Sequence, residues 1–331
     1  MSKKKLKIFA YTATRSEYGL LFWLLKELNN DPEIDFCLIV SGTHLSKKFG
    51  YTYDVIKNDK WKKIKCIPSL TKKNNKFDNL ISISKGSIGL SEFLTNENPD
   101  CIIVLGDRFE LFSIMSVCTL LNIPIAHISG GEITEGANDN QIRNAMTKIS
   151  HFHFVATEEY KKRVLQLGEE SWRILKSGEI GLDNITNLEL LSKSELHLRL
   201  KIDLSKPTAL IALHPITLEF NNLKSIVVSL LQALDNFNLQ YIFTYPNIDS
   251  GSDTIINLFE EYVKNHPKNT HHPTLTNMPA EQKKTEGGRN PTNSRLLTLR
   301  QSESPGGIWG APSLGGRPPK SRTGLSDCLT I

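Results

Sequence analysis

Features that would place this 331-residue chain in several common functional classes are missing from its sequence. No apolar run approaches the roughly 20 residues that a transmembrane helix needs, so we expect no membrane partner. The first predicted strand is followed by TATRSEYG and not by the glycine fingerprint G-x-G-x-x-G, which argues against a bound NAD or FAD cofactor. A focused basic stripe with interleaved aromatic residues is also missing, so we expect no nucleic-acid partner.

Cysteine is scarce, and its distribution indicates a reducing compartment. The five cysteines show none of the paired spacings of metal sites, and no other ligand spacing calls for a metal ion. Three of them, Cys37, Cys101 and Cys118, lie inside apolar runs, where a buried free thiol is the usual state. We therefore expect a cytoplasmic protein.

Length and composition indicate a globular protein of two domains. A chain of 331 residues exceeds the size of one ordinary hydrophobic core, and 39% hydrophobic with 23% charged residues is a globular composition. The formal net charge of +5 suits an anionic small-molecule substrate, although a lysine-rich solvated surface is the simpler cause.

Buried apolar runs alternate with helix-length segments in the first half of the chain. This alternation predicts one doubly wound α/β domain over residues 1–177, with Ser16 as the N-cap of its first helix. The predicted strands are 7–13, 34–40, 64–70, 101–105, 123–128, 152–156 and 172–175. The predicted helices are 16–30, 80–96, 109–121, one from 141, and 158–167.

A second βα series begins at residue 178 and stops early. Residues 178–269 predict helices at 188–200, 223–237 and 252–265 and strands at 208–213 and 240–245, the first part of a second domain of the same class. From residue 270 the composition shifts to arginine, glycine, proline and serine without a helix or strand period. We expect residues 270–331 to be a disordered tail or the product of a shifted reading frame, which leaves the second domain incomplete.

Carboxylates follow two neighbouring predicted strands at the point where each strand ends. Asp107 comes after the fourth strand, Glu132 comes after the fifth, and Asp139 stands at the entry to the next helix. Ligands bind at the carboxyl edge of open parallel sheets. Taken singly, Asp107 could cap the following helix, and Asp139 could be an N-cap that pairs with Arg143. Together at one edge, these acids predict a catalytic site.

Two basic residues are expected near the same edge. Arg15 follows the first strand beside a helix N-terminus, where fixed donors and the helix dipole suit a phosphate, although a surface arginine fits equally well. His214 ends the first strand of the second domain and is expected to face the cleft between the domains; a structural histidine is the alternative.

These motifs together resemble the hydrolysing branch of the UDP-N-acetylglucosamine 2-epimerase family, which supplies sugars for sialic and legionaminic acids. The resemblance covers about residues 6–265 and rests on TATRSEYGLL, LGDRFELFS, HISGGEITEGANDNQIRNAMTKISHFHFVATEEYKKRV, SGEIGLDNI, LHPITLE and YPNIDSGSD. It implies two Rossmann-like domains facing across a cleft, as in GT-B glycosyltransferases. It also implies a homodimer or a higher homo-oligomer.

The resemblance assigns roles to the candidate residues. In the family, UDP leaves C1 as the C2 proton is removed, and water then adds with inverted configuration at C2. Asp107, Glu132 and Asp139 match the acid/base positions, with Asp107 or Glu132 near C2 and Asp139 handling water. His214 matches the histidine that assists the leaving group. The residues expected to bind substrate are Arg15, Arg108, Arg143 and Asn247.

The expected substrate is UDP-N-acetylglucosamine or UDP-2,4-diacetamido-2,4,6-trideoxyhexose, and the products are UDP and the free 2-epimerised sugar, such as N-acetylmannosamine. Two alternatives stay open: a non-hydrolysing epimerase, and an inactive truncated relic that at most binds a UDP-sugar. The relic is considered because the family's C-terminal UDP-binding motifs are not intact after residue 269. Asn140 and Asn144 also replace an acid and a histidine that the family often has.

Overall fold

The chain forms two parallel sheets flanked by helices. The computed structural model describes residues 4–71, 76–135, 138–188, 191–200, 202–215, 222–246, 251–267 and 269–272. The strands of the first sheet are β1 (Leu6–Thr12), β2 (Ile34–Val40), β3 (Ile64–Cys66), β4 (Cys101–Leu105), β5 (Ile125–Ile128), β6 (Phe152–Val155) and β7 (Ile174–Lys176). Those of the second are β8 (Thr208–Ala212), β9 (Gln240–Thr244) and β10 (Thr270–His272).

Ten α-helices lie within the described residues. They are α1 (Arg15–Asn30), α2 (Tyr53–Asn58), α3 (Lys76–Glu97), α4 (Leu111–Leu121), α5 (Asp139–Ile149), α6 (Glu158–Gln166), α7 (Leu182–Asn187), α8 (Lys193–Leu200), α9 (Leu223–Leu234) and α10 (Ser252–Asn265). The sequence predicted one helix over 188–200, whereas the structure has a shorter helix there, α8, and a helix before it, α7, that was not predicted. None of the helices described is long and apolar enough to cross a membrane.

The strand order of the first sheet defines where a ligand can bind. The order is β3-β2-β1-β4-β5-β6-β7, so successive crossovers move outward in one direction from β1 and in the other from β4. The neighbouring strands β1 and β4 pair in parallel, with Ile8 opposite Cys101. Between two such strands the connecting chains leave in opposite directions and open a crevice at the carboxyl ends. The turns after β1 and β4 therefore border the expected site.

Alternate residues of β1 pack into different cores on the two faces of the first sheet. Phe9 and Tyr11 pack with residues of α3 and α4, whereas Ile8 and Ala10 pack with residues of α1. Because helices cover both faces, the strands read as continuous apolar runs and not as alternating patterns.

The second sheet has its own core and a strand that the sequence analysis missed. Val227 of α9, Phe243 of β9 and Phe259 of α10 are fully buried in one cluster. Beyond residue 269, where no strand was predicted, β10 pairs in parallel with β9. The predicted tail after residue 272 lies outside the described residues, and so does Asn247.

The N-terminus of α1 differs from the prediction, because its N-cap is Thr14 and not Ser16. The Thr14 hydroxyl accepts from the backbone N–H of Glu17 at 3.5 Å, and the Glu17 carboxylate accepts from the backbone N–H of Thr14 at 3.0 Å. This reciprocal arrangement is a capping box, in which a threonine precedes a glutamate by three residues.

Replacing Thr14 with alanine is expected to lower the free energy of unfolding by about 1 kcal/mol, because the amide of Glu17 loses its acceptor. Denaturation followed by circular dichroism measures the change. Ser16→Ala is the matched control and is expected to cost much less, because Ser16 lies inside the helix and, among the described residues, its hydroxyl bonds to that of Thr14, at 3.0 Å, and not to a backbone amide. A larger loss for Ser16→Ala than for Thr14→Ala contradicts this assignment of the cap.

Candidate active site

A buried arginine from α5 joins the loops that follow β4 and β5. The side chain of Arg143 forms an ion pair with Asp107, which lies in the turn after β4. Its guanidinium also donates to the backbone oxygen of Glu132 at 2.9 Å and to the Thr134 hydroxyl at 3.0 Å. Arg143 is only 5% exposed. One cation therefore fixes the first two predicted acidic residues at the carboxyl edge of the sheet.

In the structure, neither Asp107 nor Asp139 is the N-cap of a helix. Helix α4 begins at Leu111 with Glu110 at the cap position and no side-chain cap bond, so Asp107 is not the N-cap of that helix. Asp139 is the first residue of α5, after Asn138 as N-cap, and Arg143 directs its ion pair to Asp107.

Glu132 combines a buried carboxylate oxygen with a raised pKa. Within the described residues, its Oε1 atom is buried without a hydrogen-bond partner. Burial is the main cause that raises the pKa of Glu132; Arg143 opposes the shift, and the carboxylates of Glu179 and Asp107 add to it. A carboxyl group with a raised pKa beside an ion-paired carboxylate can act as a proton donor.

The glycine that precedes Glu132 allows the loop to approach α6. Gly131 has φ +80°, and a Cβ atom at this position would lie 2.4 Å from the backbone oxygen of Tyr160. Arg163 of α6 also donates to the backbone oxygen of Gly131 at 3.3 Å. The paired glycines thus let the loop pack against a helix and set the direction of Glu132.

Asp139 lies on the same helix as Arg143. It lies four residues before Arg143 on α5, so both residues are on the same face of that helix. The first turn of a helix favours a carboxylate. The edge therefore carries Asp107 and Glu132, joined through Arg143, with Asp139 one helical turn away.

The two predicted substrate-binding arginines near the switch point differ in environment. Arg15 is the first residue of α1, and burial lowers the pKa of its guanidinium to about 10, so it stays protonated at neutral pH. Arg108 is bonded to Glu110, with Nε at 3.2 Å and Nη2 at 3.4 Å from its carboxylate oxygens. Both arginines border the crevice between β1 and β4.

The remaining predicted site residues are not joined to this edge. His214 is exposed in the segment after β8, on the second sheet, and the contacts of the described residues do not connect it to Asp107 or Glu132. Asn247 lies outside the described residues. Their roles stay predictions.

His127 supports the site and was missed by the sequence analysis. It is fully buried in β5, and its Nε2–H donates to the backbone oxygen of Gly106 at 2.8 Å, just before Asp107. Burial lowers the pKa of His127 to about 4, so the ring is neutral at physiological pH. The available signal was a histidine inside an otherwise apolar strand.

Glu17, an acidic residue in the first turn of α1, is almost completely buried. Its Oε2 atom accepts from the backbone N–H groups of Ala13 at 2.8 Å and Thr14 at 3.0 Å. Burial raises its pKa to about 7; Arg108 opposes the shift and Glu110 adds to it. The T-x-x-E spacing is the sequence signal for the capping contact, but it does not show the burial.

The described residues contain no group of three or more histidine, cysteine, aspartate or glutamate side chains that could hold a metal ion.

Residues 26–278 match the family model described as UDP-N-acetylglucosamine 2-epimerase. The chain is 39% identical over 284 residues to GDP/UDP-N,N'-diacetylbacillosamine 2-epimerase (hydrolyzing) of Campylobacter jejuni. The matched region covers 86% of this chain and 72% of that protein. It is 34% identical over 261 residues to UDP-N,N'-diacetylbacillosamine 2-epimerase (hydrolyzing) of Legionella pneumophila, covering 79% and 69% respectively. The resemblance inferred from the motifs is confirmed.

Among solved structures, the chain resembles UDP-GlcNAc 2-epimerase from Neisseria meningitidis bound to UDP-GlcNAc. The TM-score is 0.66 at 17% identity, over 80% of this chain and 72% of that one. A UDP-GlcNAc 2-epimerase from Methanocaldococcus jannaschii gives a TM-score of 0.64 at 21% identity, over 81% and 73%. At these identities the likeness shows the fold, and the predicted GT-B-like class is confirmed.

The burial of Glu17 predicts a pH-dependent stability. Its pKa is raised from 4.5 to about 7 in the folded protein, so folding favours the protonated form. This contribution is complete below the unfolded pKa and is lost as the pH rises through about 7. Glu17→Gln cannot ionise, so the variant should gain stability relative to the wild type between about pH 5 and pH 8, on the order of 3 kcal/mol.

Thermal melts at several pH values measure this difference. Glu92→Gln, which removes the same charge from an exposed position on α3, is the control and should follow the wild type. A stability difference between Glu17→Gln and the wild type that does not change with pH contradicts the prediction.

Proposed function

The chain belongs to the UDP-N-acetylglucosamine 2-epimerase family, and we propose that it is a hydrolysing member, which releases UDP and a free 2-epimerised N-acetyl sugar. The observation that carries this proposal is the pairing of Asp107 and Glu132 through Arg143 at the carboxyl edge of the first sheet. The two relatives named as hydrolysing support it over the non-hydrolysing alternative.

The relatives also bear on the choice of substrate. Both are named for N,N'-diacetylbacillosamine, a diacetamido trideoxyhexose. Of the two substrates expected from the sequence, we therefore favour the UDP-linked diacetamido sugar over UDP-N-acetylglucosamine. The product is then the free 2-epimerised diacetamido sugar.

The first step is an anti elimination. Asp107 takes the proton from C2 of the sugar while the bond between C1 and the UDP oxygen breaks, and the bonding electrons leave with UDP. The product is a 2-acetamidoglycal with a C1–C2 double bond. Arg143 stabilises the ionised form of Asp107, and its buried position fixes the carboxylate for proton abstraction.

The second step is the addition of water. A water hydroxyl bonds to C1, its proton passes to Asp139, and C2 receives a proton from the face opposite to the one that lost it. Glu132 suits the donor role because burial raises its pKa. The configuration at C2 is inverted as a result.

The diphosphate side of the substrate requires positive charge. Arg15 and Arg108 border the crevice beside the N-terminus of α1, where guanidinium groups and the helix dipole stabilise an anionic leaving group. His214 and Asn247 would contribute from the second domain. This assignment places the sugar near the acids and UDP between the two sheets.

The domain division and cellular location are part of the same proposal. The first domain covers residues 1–177, and the UDP-binding domain begins at residue 178. Helix α7 packs on α1, where Asn184 donates to the backbone oxygen of Gly19 at 3.1 Å, and so bridges the division. A UDP-sugar substrate suits the cytoplasm.

A second copy of the chain is proposed to pack on α3 and α4. These helices lie side by side, with the hydroxyls of Ser87 and Ser116 3.4 Å apart. Leu80 and Ile88 of α3 and Leu120 of α4 are exposed, with Leu120 81% accessible. An exposed apolar surface on paired helices is typical of a protein interface. The homodimer is the form implied by the family resemblance.

The reaction is tested by proton NMR of the purified 331-residue protein with each UDP-sugar in D2O. Free UDP and an epimerised sugar with deuterium at C2 are expected. Asp107→Asn should reduce the rate at least about 100-fold, because the base is lost. Asp54→Asn, at an exposed position on α2, is the control and should keep the wild-type rate. A product that retains UDP identifies the non-hydrolysing reaction, and a folded protein that converts neither sugar supports the relic.

The interface is tested by measuring molar mass with light scattering after size exclusion. The wild type should be a dimer, and the double variant Ile88→Asp/Leu120→Asp should be a monomer, because two charges cannot be buried unpaired at the contact. Leu198→Asp, at a position that is 74% exposed on α8, is the control and should remain dimeric. A monomeric wild type overturns the proposed interface.

A further inference from the structure

A buried charge cluster joins the two turns that border the crevice between β1 and β4. It consists of Glu17 from the start of α1 and the pair Arg108 and Glu110 from the turn between β4 and α4. The buried Tyr11 of β1 also faces it. The proposed proton transfers use neither carboxylate of this cluster. Its position at the switch point puts it next to the expected diphosphate.

On the β1 side, Glu17 fixes the residues that lead into Arg15. One carboxylate oxygen accepts from the N–H groups of both Ala13 and Thr14, at 2.8 and 3.0 Å. The backbone oxygen of Ala13 in turn accepts from the Thr43 N–H at 2.8 Å. A change at the Glu17 carboxylate therefore reaches the turn that carries Arg15.

On the β4 side, Arg108 is bonded to Glu110 and acts on Glu17 through its charge. Its guanidinium contacts the Glu110 carboxylate at 3.2 and 3.4 Å and is close enough to Glu17 to act on its charge. The side chains of Arg108 and Glu110 are 11% and 3% exposed. Solvent screens charges at such depth much less than at the surface. The ionised cluster has one cation for two carboxylates.

The second oxygen of Glu17 shows that this is more than a capping box. A capping glutamate normally lies at the surface, where water satisfies its remaining oxygen. Glu17 is 7% exposed, and its Oε1 atom is buried without a hydrogen-bond partner among the described residues. An unsatisfied buried carboxylate oxygen is costly in the ionised form, so the cluster favours uptake of a proton.

We propose that Glu17 is a proton-linked positioning residue for the diphosphate of the substrate. In the ionised state the Glu17 carboxylate competes with the ligand for the positive charge of Arg108, and in the protonated state it no longer does so. The inference rests on the proposed function, because it requires a UDP ligand beside Arg15 and Arg108.

Linkage fixes the direction of the effect. The charged and titratable groups that face Glu17 are Arg108 and Glu110 from the β4–α4 turn and Tyr11 from β1; burial raises the pKa of Tyr11, so its hydroxyl is neutral. Since burial sets the pKa of Glu17 to about 7, its ionisation changes across the physiological range. A bound diphosphate adds negative charge nearby and favours protonation. UDP should therefore bind more tightly at lower pH and take up protons as it binds.

The test is calorimetric titration of UDP into the 331-residue protein at about pH 6 and pH 8, in two buffers that differ in ionisation enthalpy. The proteins are the wild type, Glu17→Gln and Glu92→Gln, an exposed control on α3. Titration of UDP itself contributes equally to all three and cancels in the comparison.

From about pH 6 to about pH 8, the affinity of the wild type and of Glu92→Gln for UDP should fall at least about fivefold more than that of Glu17→Gln. Only the wild type and Glu92→Gln should take up the additional protons when UDP binds. Equal pH dependence of UDP affinity in Glu17→Gln and the wild type overturns the inference but not the proposed function. In that case, Glu17→Gln would bind UDP more weakly than the wild type by the same factor at both pH values, which is the result of a purely structural role. No binding of UDP to the wild type overturns the proposed function together with the inference.

Glu110→Gln provides a second measurement that does not depend on the folding of Glu17→Gln. It removes a negative charge that raises the pKa of Glu17, so the midpoint of the affinity change should move to lower pH. An unchanged midpoint also overturns the inference.

Discussion

The acidic edge of the first sheet depends on one buried guanidinium. Arg143 binds the Asp107 carboxylate after β4 and the backbone oxygen of Glu132 after β5, although these groups are far from it in sequence. A buried cation is stable only while its partners are in place. The positions of the two loops are therefore coupled, because movement of either one removes a partner of the buried Arg143 side chain. His127 adds to this coupling through the carbonyl of Gly106.

Much of the first sheet could be predicted because local signals and the fold agree. The bounds of β2 and β4 match the predicted strands, since continuous apolar runs between polar residues have few other solutions in a doubly wound sheet. The N-cap of α1 was wrong because Thr14 and Ser16 both offer a hydroxyl, and only the spacing to Glu17 separates them. The strand β10 was missed because three residues provide no period.

The position of the acidic residues at the carboxyl edge of the sheet could be predicted, but their contacts could not. Strand ends followed by carboxylates identify an edge, and the topology brings such ends together. The sequence does not show which carboxylate forms the ion pair with Arg143, because the contact between Arg143 and Asp107 is set by the packing of α5 on the sheet. Nor does it show that Glu132 has a raised pKa while Asp107 is ion-paired. Such a difference in environment is what the different roles proposed for these two carboxylates require.

The same contacts bear on why water and not UDP completes the proposed reaction. After elimination, the glycal can be attacked by water or recaptured by UDP, and the outcome depends on how tightly UDP is retained. Arg108 is already bonded to Glu110 and lies near Glu17, so part of its charge is neutralised within the protein. A diphosphate that must share such a cation is retained less strongly than one with an arginine of its own. In the proposed site, the charge cluster behind the crevice therefore favours departure of UDP, and with it hydrolysis, while the acids beside it are the groups proposed to transfer the protons at C2.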